Sequence, residues 1–181
     1  MRIGFDLDGV LYDWHNATYE YAVDFLGVKD TMEVFYRGST EHIYPEMFWS
    51  NIIRIPFLYT KYGIKKELSK MLDKLAKNNE LFYITHRPSE ARLATNRWLE
   101  VNNIPYKENI IFTSNKSLEI RRNNIKLFID DDPRVIKALN NICNTIYVFH
   151  PWWDVSNTTF KFSVKHILDL PEKIKELIGD Y

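Results

Sequence analysis

The chain has a single cysteine, no net charge and no long apolar run, and each shortage removes a class of protein. Cys143 alone allows neither an intrachain disulfide nor a thiolate zinc cage. Among helix-like neighbours it reads as a buried structural thiol, which fits a reducing cytoplasm. No apolar stretch approaches the roughly eighteen residues of a membrane span, and Arg2 and then acids stand where a signal peptide needs a greasy stretch. A soluble, unprocessed, cytoplasmic protein with no membrane partner is expected. Lys plus Arg and Asp plus Glu number 24 each, a balance that argues against gripping long nucleic acid. The zinc-peptidase His-Glu-x-x-His, the Walker phosphate loop and the Gly-x-Ser-x-Gly nucleophile elbow are also missing. What is present is 181 residues, 45% apolar and 15% aromatic, enough for one substantial core with a small inserted lobe.

Short, mostly apolar segments read as buried strands at Arg2 to Asp6, Glu80 to Thr85, Asn109 to Thr113, Lys126 to Asp130 and Asn144 to Phe149. Helical patterns lie between them. Lys65 to Lys77 repeats Leu68, Met71, Leu72 and Leu75, Ser89 to Val101 carries Ala94, Trp98 and Val101, and Pro133 to Ile142 carries Val135, Ile136 and Leu139. Asp132 before Pro133 is a helix start, since a carboxylate caps free amides and proline suits the first turn; Pro171 repeats the signal in the tail. Strand and helix alternate, so the fold class is α/β: a parallel five-stranded sheet between helices, with ligands gathering at the carboxyl ends of the strands. Residues 14–62 break this rhythm. They hold one plausible helix, His15 to Leu26, then an irregular aromatic segment, and read as a small cap inserted after the first strand, leaving 1–13 and 63–181 as the core.

The chemistry concentrates at strand exits. In Asp6-Leu7-Asp8-Gly9-Val10 the two acids are two positions apart, so on an extended strand they point the same way, and Gly9 permits a sharp turn. Three more polar groups follow at later exits: Thr85 in Ile84-Thr85-His86-Arg87-Pro88, Lys116 in Thr113-Ser114-Asn115-Lys116, and Asp130-Asp131-Asp132. In this order they resemble the motifs of the haloacid dehalogenase superfamily of phosphotransferases: Asp-x-Asp-Gly, a hydroxyl residue, a lysine and paired acids. The Val-Leu-Tyr-Asp-Trp run after Gly9, the Ile-Thr-His-Arg-Pro exit and Phe-Ile-Asp-Asp are most similar to the 5′(3′)-deoxyribonucleotidase family and its bacterial and phage relatives. At the fifth exit, His150-Pro151-Trp152-Trp153 departs from the Pro-Tyr-Asn segment of those nucleotidases, and Asn157 is displaced.

The resemblance implies a Rossmann-like α/β/α sandwich with a mainly helical cap, and a hydrolase of phosphoric monoesters. Asp6 would attack phosphorus and form an aspartyl phosphate, while Asp8 would protonate the leaving oxygen and then accept a proton from water. Thr85, His86 and Lys116 would hold the phosphate, with Arg87 near phosphate or sugar. Packed acids repel one another, and Mg2+ is the expected cofactor, held by Asp6, the main-chain carbonyl of Asp8 and Asp130, with Asp131 behind. The triple acid leaves the register open: if the strand runs one residue further, Asp131 takes the metal. Phe48 and Trp49 are the cap aromatics expected against a nucleobase, although a small lobe also needs aromatics for its own core. The expected partner is a small phosphate monoester, a nucleotide by preference, acted on by a monomer or homodimer. Other readings that stand are a phosphatase for a different metabolite or a nucleic-acid 3′ end, and a phosphate-binding protein without turnover.

Overall fold

The computed structural model describes residues 1–40, 46–153, 155 and 159–179; Asn157 lies outside them. Its centre is a parallel sheet of β1 (Arg2–Phe5), β2 (Glu80–Thr85), β3 (Ile110–Phe112), β4 (Leu127–Asp130), β5 (Asn144–Val148) and β6 (Ser163–Val164), in the order β3-β2-β1-β4-β5-β6. Five strands were expected, and the described residues form six. The extra one is two residues long, too short to carry an alternation, and it pairs in parallel with Tyr147 and Val148 at the sheet edge.

The alternation of side chains across the pleat divides the core into two layers. On one side Ile3, Phe5, Leu81, Tyr83, Leu127, Ile129 and Ile146 are buried with α4 (Lys66–Leu75), α5 (Arg92–Val101) and α8 (Leu170–Ile178). On the other, Phe82, Ile84 and Phe128 pack with Ile120 of α6 (Lys116–Arg122) and Leu139 of α7 (Pro133–Leu139). Gly4 faces this second layer, where a β-carbon would stand 2.6 Å from the Phe128 ring; the bare backbone lets that ring lie against the central strand.

Asp132 caps α7 as its sequence position suggests, accepting the Arg134 amide at 2.8 Å with Pro133 in the first turn. The buried face of α5 differs from the expected one. Thr95, Trp98 and Leu99 point inward while Val101 is 61% exposed, because the Thr95 hydroxyl bonds to the Ala91 carbonyl and receives Arg87, giving a polar residue a place in the interior. Between β1 and α4 the chain forms α1 (Trp14–Leu26), α2 (Met32–Thr40), α3 (Glu46–Ile52) and a 3-10 turn at Pro56–Tyr59. These elements gather a separate apolar cluster around Ala22, Phe35, Tyr36 and Trp152, with Phe48 and Trp49 packed against it. Among the described residues no helix is long and apolar enough to cross a membrane.

Candidate active site

With β1 flanked by β2 on one side and β4 on the other, the chain direction of the connections reverses at β1, the place where open α/β sheets bind ligands. Three strand exits meet there. Asp6 ends just past β1, Asp130 is the last residue of β4, Asp131 follows it, and Lys116 enters from the start of α6. The Lys116 ammonium lies 2.9 Å from Asp6 and 2.7 Å from Asp130, with all three side chains buried. Carboxylate oxygens of Asp6, Asp130 and Asp131 lie within 4.8 Å of one another.

One ammonium among three carboxylates leaves excess negative charge in a dry place. Burial raises the Asp6 carboxyl to about 7; Lys116 opposes the shift, and Asp130 and Asp8 add to it. Asp131 is raised well above the usual carboxylate range, first by burial and then by Asp130 and Asp6. Lys116 is held above its ordinary value, because its two carboxylate partners outweigh the cost of burial. A hard dication suits such a set of oxygens. Within the acid run, β4 ends at Asp130, whose two oxygens are both engaged, one by Lys116 and the other by the Asp132 amide at 2.8 Å. Asp132 belongs to the helix cap, and an Asp131 oxygen stands 3.7 and 3.6 Å from the imidazoles of His15 and His150, beyond hydrogen-bond reach.

Asp8 faces away from this cluster toward Arg87, whose Nε and Nη2 donate to it at 3.0 and 2.6 Å. The guanidinium is buried, bonded to Thr95 at 3.0 Å and stacked over the rings of Tyr12 and Tyr59. Arg87 therefore fixes the second acid, a role that its place in the sequence beside Thr85 does not reveal. Thr85 is fully buried and does not line the cavity; its Oγ1 accepts the Arg87 amide at 3.1 Å, which leaves its own proton free to donate. His86 does line the cavity, with its imidazole lowered by burial and then by Lys116.

The cavity over the acids measures about 230 Å³ and is walled by Trp14, His15, Ile53, Tyr59 and Trp153 as well as by the polar residues. Trp14 stacks on Tyr59 at 4.5 Å and 17°. The indole Nε1 of Trp153 is buried without a hydrogen-bond partner among the described residues. Phe48 and Trp49 are not in this wall; they pack against the cluster of Ala22, Phe35, Tyr36 and Trp152. Sequence reasoning passed over Ile53 and Trp153, and nothing in their local pattern distinguishes a wall residue from a core residue.

Gly9 governs the closeness of the loop to the acids. Its φ is +76°, and a β-carbon would stand 2.3 Å from an Asp131 oxygen and 2.8 Å from His15 Cε1. Gly9→Ala is expected to cost about 2 kcal/mol or more in urea unfolding, through left-handed strain and displacement of Asp131. A loss under about 0.5 kcal/mol, the usual range for neutral surface changes, would show that the loop relaxes freely.

The central strand leads into Asp6-Leu7-Asp8-Gly9, which is met by Lys116 and by the paired acids Asp130 and Asp131 from neighbouring exits, and the fold around this group is that of haloacid dehalogenase-like hydrolases. The fold agrees with solved structures: a haloacid dehalogenase-like hydrolase of Streptococcus pneumoniae superposes with a TM-score of 0.64 at 15% identity, over 96% of this chain and 97% of that one. Two curated relatives bring the likeness to the sequence. A Bacillus cereus protein described as "Putative nucleotidase" is 27% identical over 153 residues, 77% of this chain and 80% of its own. A nucleotidase of Clostridium acetobutylicum is 26% identical over 137 residues, 73% of this chain and 71% of its own. No protein-family model matches.

Proposed function

We propose that the protein is a magnesium-dependent phosphomonoesterase that works through an aspartyl phosphate on Asp6 and hydrolyses nucleoside or deoxynucleoside monophosphates. The observation that carries this reading is the Lys116 ammonium seated between Asp6 and Asp130 at 2.9 and 2.7 Å, with Asp131 closing the cluster. Lys116 opposes the protonation of Asp6 that burial favours, which promotes the nucleophilic carboxylate, and offers charge to the incoming phosphate. Asp6, Asp131 and the Asp8 carbonyl are the oxygens that would hold Mg2+, which supplies charge to neutralise the phosphate oxygens. Asp130 positions Lys116.

In the first step an Asp6 oxygen forms a bond to phosphorus while the bond to the alcohol oxygen breaks, and that oxygen takes a proton from Asp8. In the second, water attacks the phosphoaspartate, gives its proton to Asp8 and releases phosphate, restoring Asp6. Asp8 must leave Arg87 to reach the leaving oxygen. Its side chain is 23% exposed whereas that of Arg87 is 0%, so the carboxylate is the partner that turns. His86 would take phosphate oxygens from the β2 exit, with the buried Thr85 holding the Arg87 amide behind it.

Residues 14–62 act in this reading as a cap that supplies Trp14, Ile53 and Tyr59 to the cavity wall. A nucleobase stacked there gains about 1–3 kcal/mol per aromatic contact, which corresponds to roughly ten-fold or more in preference over a sugar phosphate. Both curated relatives are named for nucleotidase activity. Phosphate release from mononucleotides, sugar phosphates and a 3′-phosphorylated oligonucleotide, measured with Mg2+ and with chelator, tests the proposal. Mononucleotides are expected to lead by about ten-fold in kcat/KM, and chelator is expected to stop release. Preference for another substrate moves the substrate assignment alone; absence of release from any monophosphate with Mg2+ defeats the whole reading.

A further inference from the structure

We propose that His15, Asp131 and His150 form a second cation site, suited to a zinc-class transition metal and joined to the carboxylate cluster through Asp131. The three residues come from separate segments: the first turn of α1, the exit of β4 and the exit of β5. Nε2 of His15 lies 3.7 Å, and Nε2 of His150 3.6 Å, from the same Asp131 oxygen. All three ligand atoms fall within 4.8 Å of one another. The two separations are too long for N–H···O hydrogen bonds. They fit a tetrahedral ion, which with bonds of about 2.0–2.1 Å keeps its ligands about 3.4 Å apart.

The donor set separates this site from the oxygen cluster next to it. Two imidazole nitrogens and one carboxylate suit zinc and its neighbours, whereas magnesium prefers oxygen throughout. The surroundings hold the rings as ligands need to be held. Trp152 stacks on His150 at 4.7 Å and 12° and lies 4.5 Å from His15, which Tyr36 meets edge-on at 4.9 Å. The missing β-carbon of Gly9 leaves the space in which Asp131 and His15 approach. The Gly9 carbonyl is 3.1 Å from His150 Nε2; metal binding calls for the tautomer with its proton on Nδ1, exchanging that contact for the ion. Side-chain exposures of 12, 10 and 20% for His15, Asp131 and His150 describe a shielded but reachable place, and His15 and His150 open onto a cavity of about 690 Å³ beside the loop.

The test is titration of chelator-treated protein with Co2+ in the presence of excess Mg2+, read by visible absorption. The expected result is a tetrahedral Co2+ spectrum that saturates at one equivalent and resists Mg2+, with affinity falling at least ten-fold in His15→Ala and in His150→Ala. Zinc X-ray absorption of the unmutated protein keeps the proposal testable should either variant fail to fold, and scattering from two imidazoles is expected. Co2+ displaced by Mg2+, binding unchanged in both folded variants, or a zinc shell without imidazole each overturns it.

Discussion

Lys116→Met is expected to lower stability by about 3–5 kcal/mol in Mg2+-free buffer, the range for breaking a buried ion pair by removing one partner. The ammonium is the cation set between Asp6 and Asp130, and without it three buried carboxylates face one another across a few ångströms. Methionine fills much of the same volume, so the loss reports charge rather than a cavity. Adding Asp130→Asn removes one of the stranded charges and is expected to recover part of the stability while phosphate release stays abolished, since the nucleophile has still lost its partner. Urea unfolding of the single and double variants measures this. A single-variant change under 1 kcal/mol would mean that the acids take up protons at no cost, and that Lys116 does not organise the site.

Asp6→Asn is expected to reduce phosphate release by at least about 10⁴-fold and to abolish the acid-stable trapping of labelled phosphate on the protein, because an amide cannot serve as the attacking oxygen. Stability is expected to move the other way or not at all. The Asp6 carboxyl is pushed up to about 7 by burial first, against the pull of Lys116, so a neutral side chain of the same shape relieves repulsion with Asp130 and Asp131. Asp8→Asn makes the contrast. It removes a proton carrier, a loss of about 10² to 10⁴-fold, and leaves the Arg87 guanidinium buried beside a neutral partner, so this variant is expected to be the less stable of the two. Retention of wild-type turnover in Asp6→Asn would remove the nucleophile from the scheme.

The features legible in the sequence were those with a local period or a fixed local spacing. The first five strands announce themselves as apolar runs, Asp132 and Pro133 as a helix start, and Asp6, Asp8 and Gly9 as a turn with two carboxylates. The strand β6 carries no such signal in two residues, and the inward turn of Thr95 is invisible to hydrophobic periodicity because its reason is a hydrogen bond to Arg87. Arg87 and Asp8 are 79 positions apart, and His15 meets Asp131 only through the packing of α1 over the β4 exit. Pairings of that kind leave no mark on the residues between them. The wall of the cavity was hardest to read: Trp14 and Trp153 look no different in sequence from Phe48 and Trp49, and only the path of the backbone decides which rings face a ligand.

The central placement of β1 bears on how the chain is made. Of the strands in this sheet, Arg2–Phe5 is translated first, and it finds its β2 partner at Glu80 and its β4 partner only at Leu127. One edge of this short apolar strand therefore stays open while the chain from Thr85 to Leu127 is translated, roughly a few seconds at ordinary elongation rates. Lys116 is translated before Leu127 but Asp130 and Asp131 only after it, so nascent chains halted short of Leu127 are incomplete in the sheet and in the acid cluster alike.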